Sequence, residues 1–172
     1  MEARRLTVPT LVAAYLFAIV AANLLVATYG PAVAIVNAFL LIALDLTARD
    51  RLHEAWAGRG LWPRMLALIA TGGALSYLLN AAAGPIALAS CAAFGAAGLA
   101  DALTYHAARR LPWLARANLS NLAGAALDSA VFVLLAFGPA AWPLIPLQLA
   151  AKAAGGALWA WLLRPRAREV IA

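Results

Sequence analysis

The fold of this chain is decided between Arg5 and Arg49, where residues 6 to 48 read LTVPTLVAAYLFAIVAANLLVATYGPAVAIVNAFLLIALDLTA. This stretch holds a single charged residue, Asp45, and a Tyr-Gly-Pro turn sequence at residues 29 to 31. A helix needs about 20 apolar residues to cross a hydrocarbon core of about 30 Å. The stretch is therefore long enough for two membrane-spanning helices joined by a short turn.

The arginines divide the rest of the chain in the same way. All twelve lie in four clusters, which are Arg4 and Arg5; Arg49, Arg51, Arg59 and Arg64; Arg109, Arg110 and Arg116; and Arg164, Arg166 and Arg168. Each gap between clusters has room for two helices, so six spans are predicted near residues 6 to 28, 31 to 48, 62 to 80, 85 to 108, 118 to 138 and 143 to 163. The sequence predicts an all-α integral membrane bundle that forms one domain over residues 1 to 172.

The distribution of arginine also predicts the orientation. The turns near residues 29 to 31, 83 to 85 and 138 to 139 carry no charge, whereas every other connection between spans carries arginine. Lys and Arg close to span ends are retained on the cytoplasmic side. We therefore expect both termini in the cytoplasm and a multi-pass protein of the inner (cytoplasmic) membrane.

Composition excludes several other classes. Of 172 residues, 66% are hydrophobic and only 12% are charged, which is more apolar surface than a soluble domain of this size could bury. The net charge of +6 does not indicate nucleic acid, because the arginines lie at one membrane rim, where lipid headgroups are the expected partner. Cys91 is alone and His53 has no second ligand at metal-binding spacing, so neither a disulfide, a metal nor a cofactor is expected.

Four ionisable side chains lie at membrane depth in the predicted spans: Asp45, Asp101, Asp128 and Lys152. A charge at the bilayer centre costs about 2.5–3.5 kcal/mol even on lenient insertion scales, so such residues are rare and usually paired. Asp128 and Lys152 both fall near the midplane, and we predict that they share one cavity as an ion pair. A structural bridge between two helices is the alternative interpretation, since buried pairs can serve specificity without touching a ligand.

Other polar residues extend this candidate site. Tyr105 lies one turn after Asp101, an arrangement that suits a flat heterocycle with N–H donors and equally suits an interfacial carboxylate capped by water. Gln148 lies one turn before Lys152, and Asn37 adds a neutral group within the second span. The predicted substrate-binding residues are Asn23, Asp101, Tyr105, Asn121, Asp128, Ser129, Gln148 and Lys152.

A second group of residues is predicted to act in gating or coupling. Asp50 and Glu54 follow the second span and share one helical face, although charges at span ends are more often simply solvated. Asp45 and Arg116 complete this group.

Several segments resemble the family of vitamin uptake transporters, also called queuosine precursor transporters. The segment from Trp113 to Asn121 is followed by Asp128-Ser129, and the eight-residue step from Ser120 to Asp128 is the family's own spacing. Further matches are Asp50 and Glu54 with an aromatic residue at Trp56, Asp101 in the fourth span, and Gln148 with Lys152 ahead of Pro165.

The resemblance covers most of residues 20 to 165. It implies a six-helix carrier for deazapurine precursors of queuosine, such as 7-cyano-7-deazaguanine. It also implies a fold similar to the substrate-binding subunits of energy-coupling-factor vitamin transporters.

Other functions stay open on the residues alone. The chain has no Gly-x-x-x-x-Gly-Lys loop, so it cannot hydrolyse ATP itself and could be a binding subunit that needs a separate ATPase module. The small-residue stripe Ala14, Ala18 and Ala22 could dock such a module, and a homo-oligomer is also open. An intramembrane enzyme is a further alternative, but Asp101 and Ser76 lack the neighbouring residues that such enzymes place around a catalytic Asp or Ser. A purely structural protein is another, but it gives no reason to keep Lys152 in the bilayer.

Overall fold

The computed structural model describes residues 7–56 and 58–163, and these residues form helices joined by short turns. The helices are α1 (Val8–Tyr29), α2 (Ala34–Asn37), α3 (Ala43–Trp56), α4 (Leu61–Leu79), α5 (Gly84–Ala107), α6 (Trp113–Phe137) and α7 (Leu144–Leu162). A π-helical turn, Ala38–Ile42, joins α2 to α3 without a break. Three 3₁₀ turns join α1 to α2, α4 to α5 and α6 to α7; they are Gly30–Val33, Ala81–Ala83 and Pro139–Ala141.

The first helix begins and ends at residues suited to those positions. Thr7 caps α1, because its side-chain oxygen accepts a hydrogen bond from the Thr10 backbone N–H, at 3.4 Å. The helix ends at Gly30, whose φ of +62° is a conformation that side chains disfavour. The chain reverses there, and α3 packs back along α1.

Three stretches are long and apolar enough to cross a membrane: Val8–Trp56, Ala81–Asp101 and Leu119–Phe137, of 49, 21 and 19 residues. Since the first stretch folds back at Gly30, it has the length for two crossings. Arg64 in α4 and Lys152 in α7 lower the hydropathy of those two helices. The helices begin and end near the predicted ranges, and the number of spans stays a prediction.

The ends of the helices define two halves of the bundle. The arginine-rich end is where α3 and α5 end and α4 and α6 begin; the arginine-free end is where the three 3₁₀ turns lie. An apolar cluster joins α1, α3 and α4 in the arginine-rich half, and its members are Leu11, Tyr15, Ile19, Ala48, Leu52, Trp56, Met65 and Leu68. In lipid such a cluster is held by close packing rather than by release of water.

Helix α7 lies directly against the π-helical turn. A Cβ atom added at Gly155 would overlap the Phe39 carbonyl oxygen and come within 2.7 Å of the Ala43 Cβ, so the two backbones meet only because residue 155 has no side chain. The Trp159 indole N–H donates to the Leu40 carbonyl within the π-helical turn, at 2.8 Å. These contacts hold α7 against the second long helix of the chain, which consists of α2, the π-helical turn and α3.

Candidate functional site

A small polar cavity lies between the helices in the arginine-free half. It is bounded by the last turns of α1, by α2 and the start of α3, by the first half of α5, by the second half of α6 and by the first half of α7. Its volume is about 30 Å³, which holds about two water molecules. The residues that line it are Ile19, Ala22, Asn23, Val26, Ala34, Asn37, Ala38, Ile42, Asp45, Leu46, Ser90, Ala93, Phe94, Asp128, Phe132, Gln148 and Lys152.

An ion pair lies on one wall of the cavity. The Lys152 ammonium on α7 donates to the Asp128 carboxylate on α6 at 2.5 Å, and to the Ser129 hydroxyl at 2.9 Å. Ser129 in turn donates to the Ala125 carbonyl at 2.9 Å. Lys152 is only 4% exposed, so its charge depends on these two partners for compensation. The structure therefore brings together the two mid-span charges that the sequence places near the same depth.

Gln148 faces the cavity one helical turn from Lys152. It is 2% exposed, yet its amide makes no hydrogen bond with any residue in the described part of the chain. Because Gln148 has no partner among the described residues, its N–H donors and its carbonyl oxygen are available to bond with a solute. A buried amide without a partner costs free energy.

Two asparagines complete the polar lining. The Asn23 amide N–H₂ donates to the Ser76 hydroxyl at 3.1 Å, and the Asn37 amide donates to the Ala22 carbonyl at 3.0 Å. Each amide uses one N–H in these bonds, so its second N–H and its oxygen are the groups that it can offer to the cavity.

Asp45 lies on the wall formed by α3. Its side chain is 2% exposed, and its Oδ1 atom has no hydrogen-bond partner within residues 7–56 and 58–163. The nearest arginine along the helix, Arg49, stacks on the Phe94 ring at 4.6 Å from the ring centroid and approaches Asp50 at 3.9 Å. Asp45 thus borders the cavity without a cation bound to it.

Four other predicted site residues lie away from this cavity. Asp101 is half-buried at the contact between α5 and α6, where its Cβ lies beside Gly124, and its Oδ1 is buried without a partner among the described residues. Asn121 is exposed and does not line the cavity. Asp50 and Glu54 are exposed at the arginine-rich end. The side chains of Tyr105 and Arg116 lie outside the described part of the structure.

Three lining residues that carry a hydroxyl group or an aromatic ring are absent from the predicted site. Ser90 and Phe94 lie one turn apart on α5, and Phe132 lies one turn after Asp128 on α6. The i, i+4 spacing from Asp128 identifies Phe132 as a neighbour on the same face. No comparable signal exists for α5, where a serine and a phenylalanine are ordinary residues of an apolar helix.

The small-residue stripe of α1 has a different role from the one considered above. Ala18 and Ala22 are buried within this chain, and Ala22 lines the cavity. Ala18 and Ala22 therefore allow close packing inside the bundle, whereas Ala14 is half-buried, and docking of a module on this stripe stays a prediction.

Long apolar helices around a buried ion pair and a small cavity define a multi-pass membrane protein. The sequence profile of a family described as "putative vitamin uptake transporter" matches residues 3–164. The chain therefore belongs to this family of membrane transporters. Comparisons with curated proteins and with solved structures found no match.

Proposed function

We propose that the chain is a carrier for a small flat heterocycle, and that the heterocycle is a 7-deazaguanine precursor of queuosine. Family membership supports the transport function, and the composition of the cavity supports the chemical class. The observation that carries the proposal is the Asp128–Lys152 ion pair, which faces a cavity and not the lipid.

The cavity offers the groups that a guanine-like ring needs. The Asp128 carboxylate and the asparagine oxygens accept hydrogen bonds from an exocyclic amino group and a ring N–H. The Gln148 amide and the Lys152 ammonium donate to the ring carbonyl. Phe94 and Phe132 supply apolar faces against which a flat ring packs.

The cavity must enlarge before it can hold such a ring. Pockets for small molecules commonly measure about 300–1,000 Å³, against about 30 Å³ here. We therefore assign the structure to a state with a contracted cavity, in which Asp128 and Lys152 satisfy each other. A solute that bonds to either residue competes for its partner and favours a state in which α6 and α7 are farther apart.

The two halves of the bundle support a direction of access. The apolar cluster closes the arginine-rich half, while the cavity lies nearer the arginine-free end. In the proposed orientation the arginine-rich end is cytoplasmic, so the cavity first opens to the outside of the inner membrane. Release on the cytoplasmic side then requires the apolar cluster to separate.

The test is uptake of queuosine precursors by cells that cannot make deazaguanine, measured as queuosine in their tRNA. We expect the wild-type chain to restore queuosine from 7-cyano-7-deazaguanine, and Asp128→Asn to fail at equal membrane abundance. The matched control is Leu135→Ala on the same helix, because Leu135 is exposed and lies away from the cavity. If no precursor restores queuosine while wild-type protein is present in the membrane, the substrate class is wrong.

A second measurement addresses the energy source. Uptake by the purified chain alone in liposomes is expected if it is an independent carrier. Dependence on an added ATPase module would instead identify it as a binding subunit.

A further inference from the structure

Asp45 is the one cavity-lining carboxylate that the proposed solute chemistry does not use. It lies on α3 across the cavity from the ion pair and is 2% exposed. Within the described ranges it forms neither an ion pair nor a hydrogen bond through Oδ1. A carboxylate in this position needs either a cation or a proton, because an ionised, uncompensated group is far more costly to bury than a neutral one.

Neither of the two cations near Asp45 forms an ion pair with it within the described residues, although the Arg49 Nε atom makes no hydrogen bond there. Lys152 gives two of its three N–H bonds to Asp128 and Ser129. Arg49 lies over the Phe94 ring and next to Asp50, one helical turn closer to the arginine-rich end. The charged and titratable groups that act on Asp45 are Arg49 and Asp50 on its own helix, Tyr15 on α1, Asp128 on α6 and Lys152 on α7.

We propose that Asp45 is a proton-binding site facing the cavity, and that its proton crosses the membrane together with the solute. The carboxyl group takes a proton from water in the cavity when the arginine-free end is open. It releases the same proton to water when the arginine-rich end is open. The inference rests on the proposed transport function and adds the ion that drives it.

The position of Arg49 gives the release step a physical basis. While the arginine-rich end is closed, Arg49 is held by Phe94 and Asp50, and Asp45 is neutral. Separation of the apolar cluster admits water and frees the guanidinium, which lies one turn away on the same face. Water and the Arg49 guanidinium then stabilise the ionised Asp45 carboxylate, so loss of the proton accompanies opening on that side.

The proton site can be tested without any solute. Infrared spectra of the purified wild-type chain in lipid nanodiscs at neutral pH are expected to show the C=O stretch of a protonated carboxylic acid. Asp45→Asn should remove this band, and Asp45→Glu should shift it and keep it. Asp50→Asn is the matched control, because that carboxylate is exposed on the same helix and lies 3.9 Å from the Arg49 guanidinium. An unchanged band in Asp45→Asn, or no band in the wild type, overturns the assignment.

Coupling is tested in liposomes with 7-cyano-7-deazaguanine as the probe. An inward proton gradient should accelerate accumulation by the wild type several-fold and leave Asp45→Asn unaffected. Exchange of labelled for unlabelled probe, which needs no net proton movement, should persist in Asp45→Asn. Wild-type exchange without any response to the gradient overturns coupling and leaves the proposed function standing. Absence of exchange overturns the proposed function and coupling together, while the infrared result still decides whether Asp45 binds a proton.

Discussion

The two halves of the bundle are formed by the same apolar helices, but one half is packed with apolar side chains and the other contains polar side chains around a cavity. In the arginine-rich half, α1, α3 and α4 meet through aliphatic and aromatic side chains, and Leu52 at the centre is completely buried. In the arginine-free half, the same α1 and α3 meet α6 and α7 around carboxylates, amides and an ammonium group. One half is filled by packed apolar side chains, and the other holds polar groups around a cavity. The difference shows that the function lies in where the polar side chains face, not in how apolar the helices are.

The largest effect is expected from breaking the ion pair in the polar half. Lys152→Met leaves the Asp128 carboxylate buried without a cation, which costs about 3–5 kcal/mol of folding free energy and should abolish uptake. The double variant Lys152→Met with Asp128→Leu should regain thermal stability without regaining uptake, since an apolar pair can replace a buried ion pair. Thermal unfolding in detergent and precursor uptake measure the two effects. Wild-type uptake by Lys152→Met would show that the pair is only structural.

The next largest effect is expected where Gly155 of α7 packs against the π-helical turn. Gly155→Ala forces a methyl group against the Phe39 carbonyl, and the overpacking should cost about 3 kcal/mol of stability. Gly156→Ala is the matched control, because no atom lies within 4 Å of the position its Cβ would take. Thermal unfolding of the two variants provides the comparison. Equal stabilities would mean that α7 is not held at this distance.

A smaller effect is expected in the apolar half. Leu52→Ala removes packing from the fully buried centre of the apolar cluster and should cost about 2 kcal/mol. This is the low end of the range for such changes, because lipid and not water surrounds the helices. The protein that folds should still bind the precursor with wild-type affinity in an equilibrium binding measurement. A large loss of affinity at full folding would extend the binding site into this half.

The smallest effect is expected at the π-helical turn. Trp159→Phe removes the hydrogen bond to the Leu40 carbonyl and should cost about 1 kcal/mol. Trp142→Phe, at an exposed position near the arginine-free end, should be neutral. A melting curve for Trp159→Phe that overlays the wild type would show that water replaces the indole without cost.

The positions of the helices could be predicted from the sequence, because clusters of arginine separate apolar stretches. Each stretch is long enough for two helices that cross the lipid. The pairing of Asp128 with Lys152 could also be predicted, since few charges lie at membrane depth and opposite charges there are best placed together.

Which face of each helix points inward could not be predicted for every residue. A membrane helix is apolar towards lipid and towards its neighbours, so the pattern of hydrophobicity does not mark its inner face. Asp101 and Asn121 have suitable chemistry, but each lies two helical turns from the lining residues Phe94 and Asp128, so their depth in the arginine-rich half keeps them away from the cavity. The π-helical turn lies between Asn37 and Asp45, which both line the cavity, and it contains no Pro or Gly from which it could be predicted. These features depend on packing between helices distant in sequence.

The most direct measurement compares two adjacent positions on α5. Ser90 lines the polar cavity, whereas Cys91 lies in an apolar groove between α4 and α5 on the other side of the helix. A small neutral thiol reagent is applied to the native chain, labelling Cys91, and to Ser90→Cys in a Cys91→Ala background. We predict that 7-cyano-7-deazaguanine slows labelling at position 90 and leaves labelling at position 91 unchanged. Equal protection at both positions, or protection at position 91 alone, would contradict a solute site in the polar half of the bundle.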